Sequence, residues 1–300
     1  MKRLFIGLLL TLVIFGGCAA PSSAPPPQYT TGIDQCDWAL VPAGEFLMGM
    51  HEHETTLDYD YEIMLTEVTN RQYAAFLNEA VAAGKVKLSA DEVTGYYPGD
   101  EFNDGRHEIE IPAGDKLLRP VGDIDSRLVY DGDTFTVKPG YEAHPVTVVT
   151  WFGARAYAEY YGWRLPTDEE WEKAARGDDG RPYPWGSGIS SEYANYYQSH
   201  DPSEAVAGSL GDTTPVGFYN GQNYDGFQTA AAVSPYGLYD MAGNVWEWTG
   251  SVYEGTHDRY TRGGSKMEYG YDLRIWTRNS IRPDYYSSSV GFRCVRVPAG

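Results

Sequence analysis

The densest group of potential ligand atoms in this 300-residue chain is oxygen-rich: ANYYQ at 194–198 and YDGFQ at 224–228. Hard cations such as calcium take about six to eight oxygens, which irregular loops supply through Asn and Asp side chains and backbone carbonyls. The bland alternative is that Asn195 and Asp225 only cap turns. A second group, His51-Glu52-His53 followed by Glu54, has the period-two spacing that puts both imidazoles on one strand face. In so acidic a loop these histidines are expected to be solvated rather than metal-bound. A third group is aromatic and basic: Trp246, Tyr269, Tyr271, Arg274, Trp276, Arg278, Arg282, Tyr285 and Tyr286. Tyr and Trp give rigid contact area at low entropic cost and Arg adds directional hydrogen bonds, which suits binding of a peptide, a glycan or an envelope protein. Trp246 and Trp276 would serve equally well in a core. No Ser/His/Asp or phosphate-loop pattern points to a hydrolase or a nucleotide enzyme.

The elements that must position these groups are few. WALVPAGEFLMGM at 38–50 predicts a strand, a turn and a strand. Thr69 with Gln72 forms a capping box ahead of Tyr73, Phe76, Leu77, Ala80 and Val81 at helical spacing. A second helix is expected from near Thr150 to Gly162, and a third after Pro166, with Thr167 as N-cap and Glu170 at N3. Residues 85–142 form an insert with a hairpin signal in VYDGDTF at 129–135. From 187 onward periodicity nearly vanishes. With 34 Gly, 18 Pro and 25 Tyr, the chain is a loop-rich α+β domain rather than a bundle or a doubly wound sheet.

The N-terminus is of another kind. Lys2 and Arg3 precede an apolar run at 4–15 and then Gly16, Gly17 and Cys18, an export signal too short for an ordinary spanning helix. Phe-Gly-Gly-Cys looks like a bacterial lipobox, so residues 1–18 are expected to be a lipoprotein signal with Cys18 lipidated, the alternative being plain secretory cleavage. Residues 19–36, rich in Pro and Ser, are expected to be a tether, and 37–300 the folded domain. Ala19 resembles the sorting residue of outer-membrane lipoproteins. Losing 1–17 removes two bases and no acid, deepening a net charge of −19 by two and arguing against nucleic-acid partners. Cys36 and Cys294 then remain, as a disulfide tying the chain ends or as two free thiols.

SPYGLYDMAGNVWEWT at 234–249, RGGS at 262–265 and VGFRCVR at 290–296 resemble the sulfatase-modifying-factor family, whose best-known members are the formylglycine-generating enzymes. EVTNRQYAAFL at 67–77, the stretch HPVTVV…EKAARG at 144–177 and YPWG at 183–186 follow the family's order. The resemblance implies an α+β, heavily elaborated C-type-lectin-like fold with little regular structure. It also implies calcium, held at one site by Asn195, the Tyr196 carbonyl, Asp225 and the Phe227 carbonyl. A second site would use Asp240, the carbonyls of Gly243 and Val245, and Glu247, unless Glu247 pairs with an arginine such as Arg262. Family catalysis binds copper through two cysteines after the GGS serine. Here Ser265 is kept but Glu268 and Leu273 stand at those spacings, and carboxylates do not suit Cu(I). The family's usual partner for the Cys294 position corresponds to Ala158. The expectation is an envelope lipoprotein, non-catalytic, calcium-braced, and binding a ligand or partner through the loops at 243–286. One alternative is a metal-dependent oxidoreductase of the family using Glu268. Another is a retroelement-diversified display protein varying Tyr269, Tyr271, Asp272, Asn279, Asp284, Tyr285 and Ser287.

Overall fold

A computed structural model describes residues 25–204, 211–253 and 255–298; Cys18 and the expected signal lie outside them. In chain order, β1 (Trp38–Val41), β2 (Gly44–Met48), β3 (His53–Leu57) and β4 (Tyr61–Met64) lead into α1 (Asn70–Ala82). The insert carries β5 (Lys87–Leu88), β6 (Glu92–Tyr97), β7 (Gly114–Pro120), β8 (Leu128–Tyr130) and β9 (Phe135–Val137). Then come α2 (Trp151–Tyr160), α3 (Asp168–Arg176), β10 (Asn223–Tyr224), β11 (Phe227–Gln228) and β12 (Trp246–Tyr253). The chain finishes with β13 (Asp258–Arg262), β14 (Arg278–Ile281), β15 (Val290–Gly291) and β16 (Val295–Arg296). No helix among the described residues is long and apolar enough to cross a membrane.

The capping chemistry forms where the spacing predicts it. Thr69 and Gln72 make a reciprocal box at α1, Thr167 and Glu170 make one at α3, and the Thr150 hydroxyl caps α2. VYDGDTF folds as the β8–β9 hairpin, with Asp131 accepting from the amides of Asp133 and Thr134.

Two small sheets organise the rest. In the order β1-β4-β16 one joins the two ends of the domain, and in the order β14-β13-β12-β15 the other presents the C-terminal loops. The larger core packs Tyr73, Phe76 and Leu77 of α1 against Tyr157 of α2, Trp248 and Phe292. The smaller sets Trp171 of α3 against Val41, Phe46, Ile63 and Ile275.

The insert is an integral wall, since Val93, Tyr97, Ile111, Leu118, Leu128 and Phe135 all belong to the larger core. Two residues outside it pin it: Arg259 donates to Asp100 at 2.7 and 2.8 Å, and His257 bridges Asp100 and Glu108. β7 approaches α2 so closely that a Cβ on Gly153 would lie 2.3 Å from the Leu118 carbonyl oxygen.

One expected boundary is corrected, and of the two readings open for the cysteines one is met. The tether is shorter than residues 19–36: Tyr29 packs on Phe218 and Tyr224 at 5.5 and 5.1 Å, and the Thr31 carbonyl accepts from Asn220 and Gln222. The Pro/Ser bias of 19–27 gives way to Tyr29, Thr31 and Ile33, which have surface to bury. Cys36, exposed, and Cys294, buried, are free thiols. Their neighbours bond opposite edges of β4, Leu65 N to the Asp37 carbonyl and Met64 N to the Cys294 carbonyl. Two strand spacings, roughly 9–10 Å, exceed the ~7 Å a disulfide spans between Cα atoms. Ala158 lies in the same core cluster as Cys294.

Gly153→Ala is expected to destabilise the domain by about 1–3 kcal/mol through overpacking against a backbone atom. Urea unfolding of the two proteins measures it, and an unchanged midpoint would contradict the close approach.

Candidate functional site

After β13, Gly263 and Gly264 take positive φ (92° and 72°) and turn Ser265 into the interior. The Ser265 amide and hydroxyl both donate to Glu268 Oε2, and Met267 N donates back to Ser265 Oγ at 3.2 Å. Glu268 therefore closes this turn. Five residues on, a short 3-10 turn (Gly270–Leu273) buries Leu273 completely against Tyr183, Ala194 and Ala242. The two positions that hold copper ligands in the resembling enzymes are thus a turn clamp and a core residue. Among the described residues no group of three or more His, Cys, Asp or Glu is arranged to hold a metal ion. His51 and His53 are exposed at the β2–β3 tip with ring centres 6.2 Å apart.

The recognition candidates divide. Tyr269 and Tyr271 are 63% and 65% exposed. Arg274 stacks 4.1 Å from the Tyr271 ring centre and 5.6 Å from that of Trp276, and Tyr197 packs edge-on to Tyr269 at 5.1 Å. Tyr269, Tyr271, Arg274 and Trp276 lie on one short segment around the 3-10 turn, a ridge in which Arg274 joins Tyr271 to Trp276 while Tyr269 packs on Tyr197. Arg278 is turned back onto Asp168 at 2.9 Å and over the Tyr260 ring at 4.7 Å. Trp246 lies apart, half-buried against the larger core, and Tyr285 borders a separate cleft with Ile281 and Arg282.

The cation candidates also divide. Asp225 and Gly226 have φ of 53° and 96° and make the two-residue turn of the β10–β11 hairpin, with Asp225 exposed. Asp-Gly between short strands is a hairpin signal. Tyr196 and Phe227 are partly buried. Asn195 is buried, its amide donating to the Asp212 carbonyl and its own carbonyl accepting from Asn244 N, both at 2.8 Å. In the second set, Glu247 is fully buried and both its oxygens accept from Arg293 at 2.7 and 2.8 Å; Trp171 Nε1 adds a third bond at 2.9 Å. Its arginine is Arg293, from the GFRC segment, while Arg262 pairs with Asp168 and Glu172. Gly243 N donates to the Gly263 carbonyl, and Val245 is buried.

Asp240 accepts from Gly217 N at 2.6 Å and faces Glu67, a residue the sequence did not single out for a site. Glu67 is wholly buried; Oε1 accepts from Asn244 at 3.2 Å while Oε2 has no partner. Burial and the mutual repulsion of the two acids push Glu67 well up, and burial raises Asp240 to about 6. A signal existed in EVTN, whose acid lies inside an otherwise apolar approach to α1, yet nothing local names Asp240 as its neighbour.

Because these acids bind protons more tightly folded than unfolded, they lower stability as pH rises above the ordinary carboxylate range, Asp240's share growing until about pH 6 and persisting above it. Asp240→Asn is expected to raise the melting temperature at pH 8 in chelator by a few degrees, and to change it much less at pH 4.5. Melting curves at the two pH values check this; equal shifts would deny the coupled pair.

Residues 25–298 match the sulfatase-modifying factor enzyme 1-like domain (FGE-sulfatase). The chain is 30% identical over 299 residues to "Serine/threonine-protein kinase pkn1" of Chlamydia caviae, across 91% of this chain and 39% of that protein. It is 39% identical over 158 residues to "Inactive C-alpha-formylglycine-generating enzyme 2" of Bos taurus, across 50% and 49% of the two. The chain therefore spans between two fifths and one half of these relatives' lengths. PvdO from Pseudomonas aeruginosa shares the fold, with a TM-score of 0.55 and 21% identity over 92% of this chain and 100% of that one. With the GGS turn, the GFRC arginine and the buried glutamate of NVWEW in one framework, the chain belongs to the sulfatase-modifying-factor family.

Proposed function

We propose that this chain is a non-catalytic family member that binds a peptide, glycan or protein partner through the Tyr269–Tyr271–Arg274–Trp276 ridge. It is held at the bacterial envelope, on the outer membrane, by a lipid at Cys18. The carrying observation is the division of labour after the GGS turn: Glu268 clamps Ser265 and Leu273 fills the core, while Tyr269 and Tyr271 stand in solvent. The alternative, an oxidoreductase using Glu268 as a metal ligand, would have to work through Oε1, because Oε2 already accepts from both the amide and the hydroxyl of Ser265.

Calcium, which the resemblance implies, fits one location better than the other. Glu67 and Asp240 offer hard, buried oxygens, one of them unpartnered, whereas Glu247 is held by Arg293 and Asp225 is a hairpin turn. Glu67 and Asp240 would hold the ion, which would keep both acids ionised and brace the loop before β12.

The protein is expected to leave a cysteine-containing sulfatase peptide unmodified in the presence of Cu(I) and oxygen, as read by mass spectrometry. Formation of formylglycine would overturn the non-catalytic reading. The double variant Glu268→Cys, Leu273→Cys is expected to gain no stoichiometric Cu(I), because position 273 is in the core; one equivalent bound would contradict the geometry. Millimolar calcium is expected to raise the melting temperature of the wild type by several degrees and that of Asp240→Asn little. Equal shifts would remove calcium from this cluster.

A further inference from the structure

The part of the insert between β6 and β7 is a flap on a narrow neck. Asp100 N donates to the Ile111 carbonyl at 2.9 Å, and a Cβ on Gly99 would lie 2.8 Å from Ala113 N, so the two ends of 101–110 meet. Inside the flap the Glu108 carboxylate gathers the amides of Asn103 and Gly105, and Glu108 N donates back to the Gly105 carbonyl. Phe102 and Ile109 are 41% and 51% exposed, so little apolar burial holds the flap down. Among the described residues a single hydrogen bond joins 101–110 to the rest of the domain, between Glu108 Oε1 and His257 Nε2 at 2.7 Å.

His257 stands in the β12–β13 turn and meets Asp100 through Nδ1 at 2.9 Å. The ring therefore lies between two carboxylates, and the side chains of His257, Asp100 and Glu108 are 11%, 9% and 6% exposed. An ionised carboxylate only accepts, so the two bonds exist together when both ring nitrogens carry hydrogen and the ring is an imidazolium. Arg259 and the Tyr97 hydroxyl keep Asp100 ionised, and the flap's own amides do the same for Glu108. The two acids are then balanced by two cations, Arg259 and His257. Asp100 keeps Arg259 and Tyr97 whatever the state of the ring, whereas Glu108 has no donor outside the flap except His257 among the described residues.

The flap and its neck cover a cleft of about 150 Å³ over Phe152 of α2, with Ile109, Ile111 and Pro112 on one side and Thr256 and Pro283 on the other. That volume is below the range of about 300–1,000 Å³ typical of a small-molecule site, as a closed cleft would be. The other charges around latch and cleft are Arg155 of α2, stacked on Tyr97 and paired with Glu159, Lys116 of β7, Glu110 of the flap, Asp258 of β13, and Arg282 with its partner Asp284. Imidazole is the side chain whose charge ordinarily changes between about pH 5 and 8.

We propose that His257 is a proton-operated latch: as the imidazolium it holds Glu108 and keeps residues 101–110 closed over the Phe152 cleft, and on losing its proton it releases Glu108 and the flap opens. The hydrogen bond to Glu108 is the largest influence on the ring, ahead of the opposing cost of burial, and Asp100 adds to it, so His257 lies above the ordinary imidazole value of about 6.5. The latch's contribution is full below that value and is lost as pH rises through the raised one. The flap shares no residue with the Tyr269–Trp276 ridge, and the latch does not rest on the ridge's role.

Amide hydrogen exchange of the full chain at about pH 6 and about pH 9, corrected for the intrinsic rate at each pH, tests this together with an NMR titration of the His257 ring. Protection of the amides at 101–110 is expected to fall roughly tenfold or more between the two, with a midpoint that matches the ring's own titration, while the β12–β13 amides keep theirs. His257→Gln is expected to remove the pH dependence, and His107→Gln, at an exposed imidazole on the flap itself, to leave it intact. Glu108→Gln is expected to move the ring's titration down. Flap protection that does not change with pH in the wild type, a pH dependence that survives in His257→Gln, or a ring already neutral at pH 6 would overturn the latch, and the first and last are read without any variant.

Discussion

The Glu247–Arg293 pair is the constraint on which the domain closes. Both side chains are wholly buried. Burying two charges is expensive, and the cost is recovered only when every remaining donor and lone pair is matched. Here the matching is complete on the arginine: two bonds go to Glu247 and three to the carbonyls of Met64, Leu65 and Tyr239. Glu247 in turn takes the indole of Trp171. One ion pair therefore joins β12, the GFRC segment, the exit of β4, the loop before Asp240 and α3. Removing either partner alone strands a buried charge, typically a loss of about 3–5 kcal/mol.

Around that hub the loops can be irregular without being loose. Asp168 takes Arg262 and Arg278, and Glu172 meets Arg262 and Arg176, so the charges of α3 fix both the strand before the GGS turn and the strand after the ridge. The exposed tyrosines of the ridge stand on this frame, and rigid aromatic side chains lose little entropy on binding. On the same frame Glu268 clamps the Ser265 turn and Leu273 fills the core beside the ridge.

Features set by local chemistry were legible in the chain. The boxes at Thr69/Gln72 and Thr167/Glu170 and the VYDGDTF hairpin form because their donors and acceptors lie within a few residues. The α+β, loop-rich class followed from composition and from motif order. Asp225 was legible as a turn residue, since Asp-Gly between short strands forms the β10–β11 hairpin, but an oxygen-rich turn serves a cation loop equally well and its spacing alone does not choose. Glu67 with Asp240, and Glu247 with Arg293, are separated by tens to hundreds of residues and join through no periodic pattern. The tether boundary was missed because composition averaged over 19–36 hid the change at Tyr29.

Elemental analysis of the purified protein, never exposed to chelator, tests the central claim most directly. Calcium near one equivalent with neither copper nor iron is the result expected of a braced, non-catalytic binding domain. A stoichiometric redox metal would contradict it and return Glu268 and the histidines at the hairpin tip to consideration as ligands.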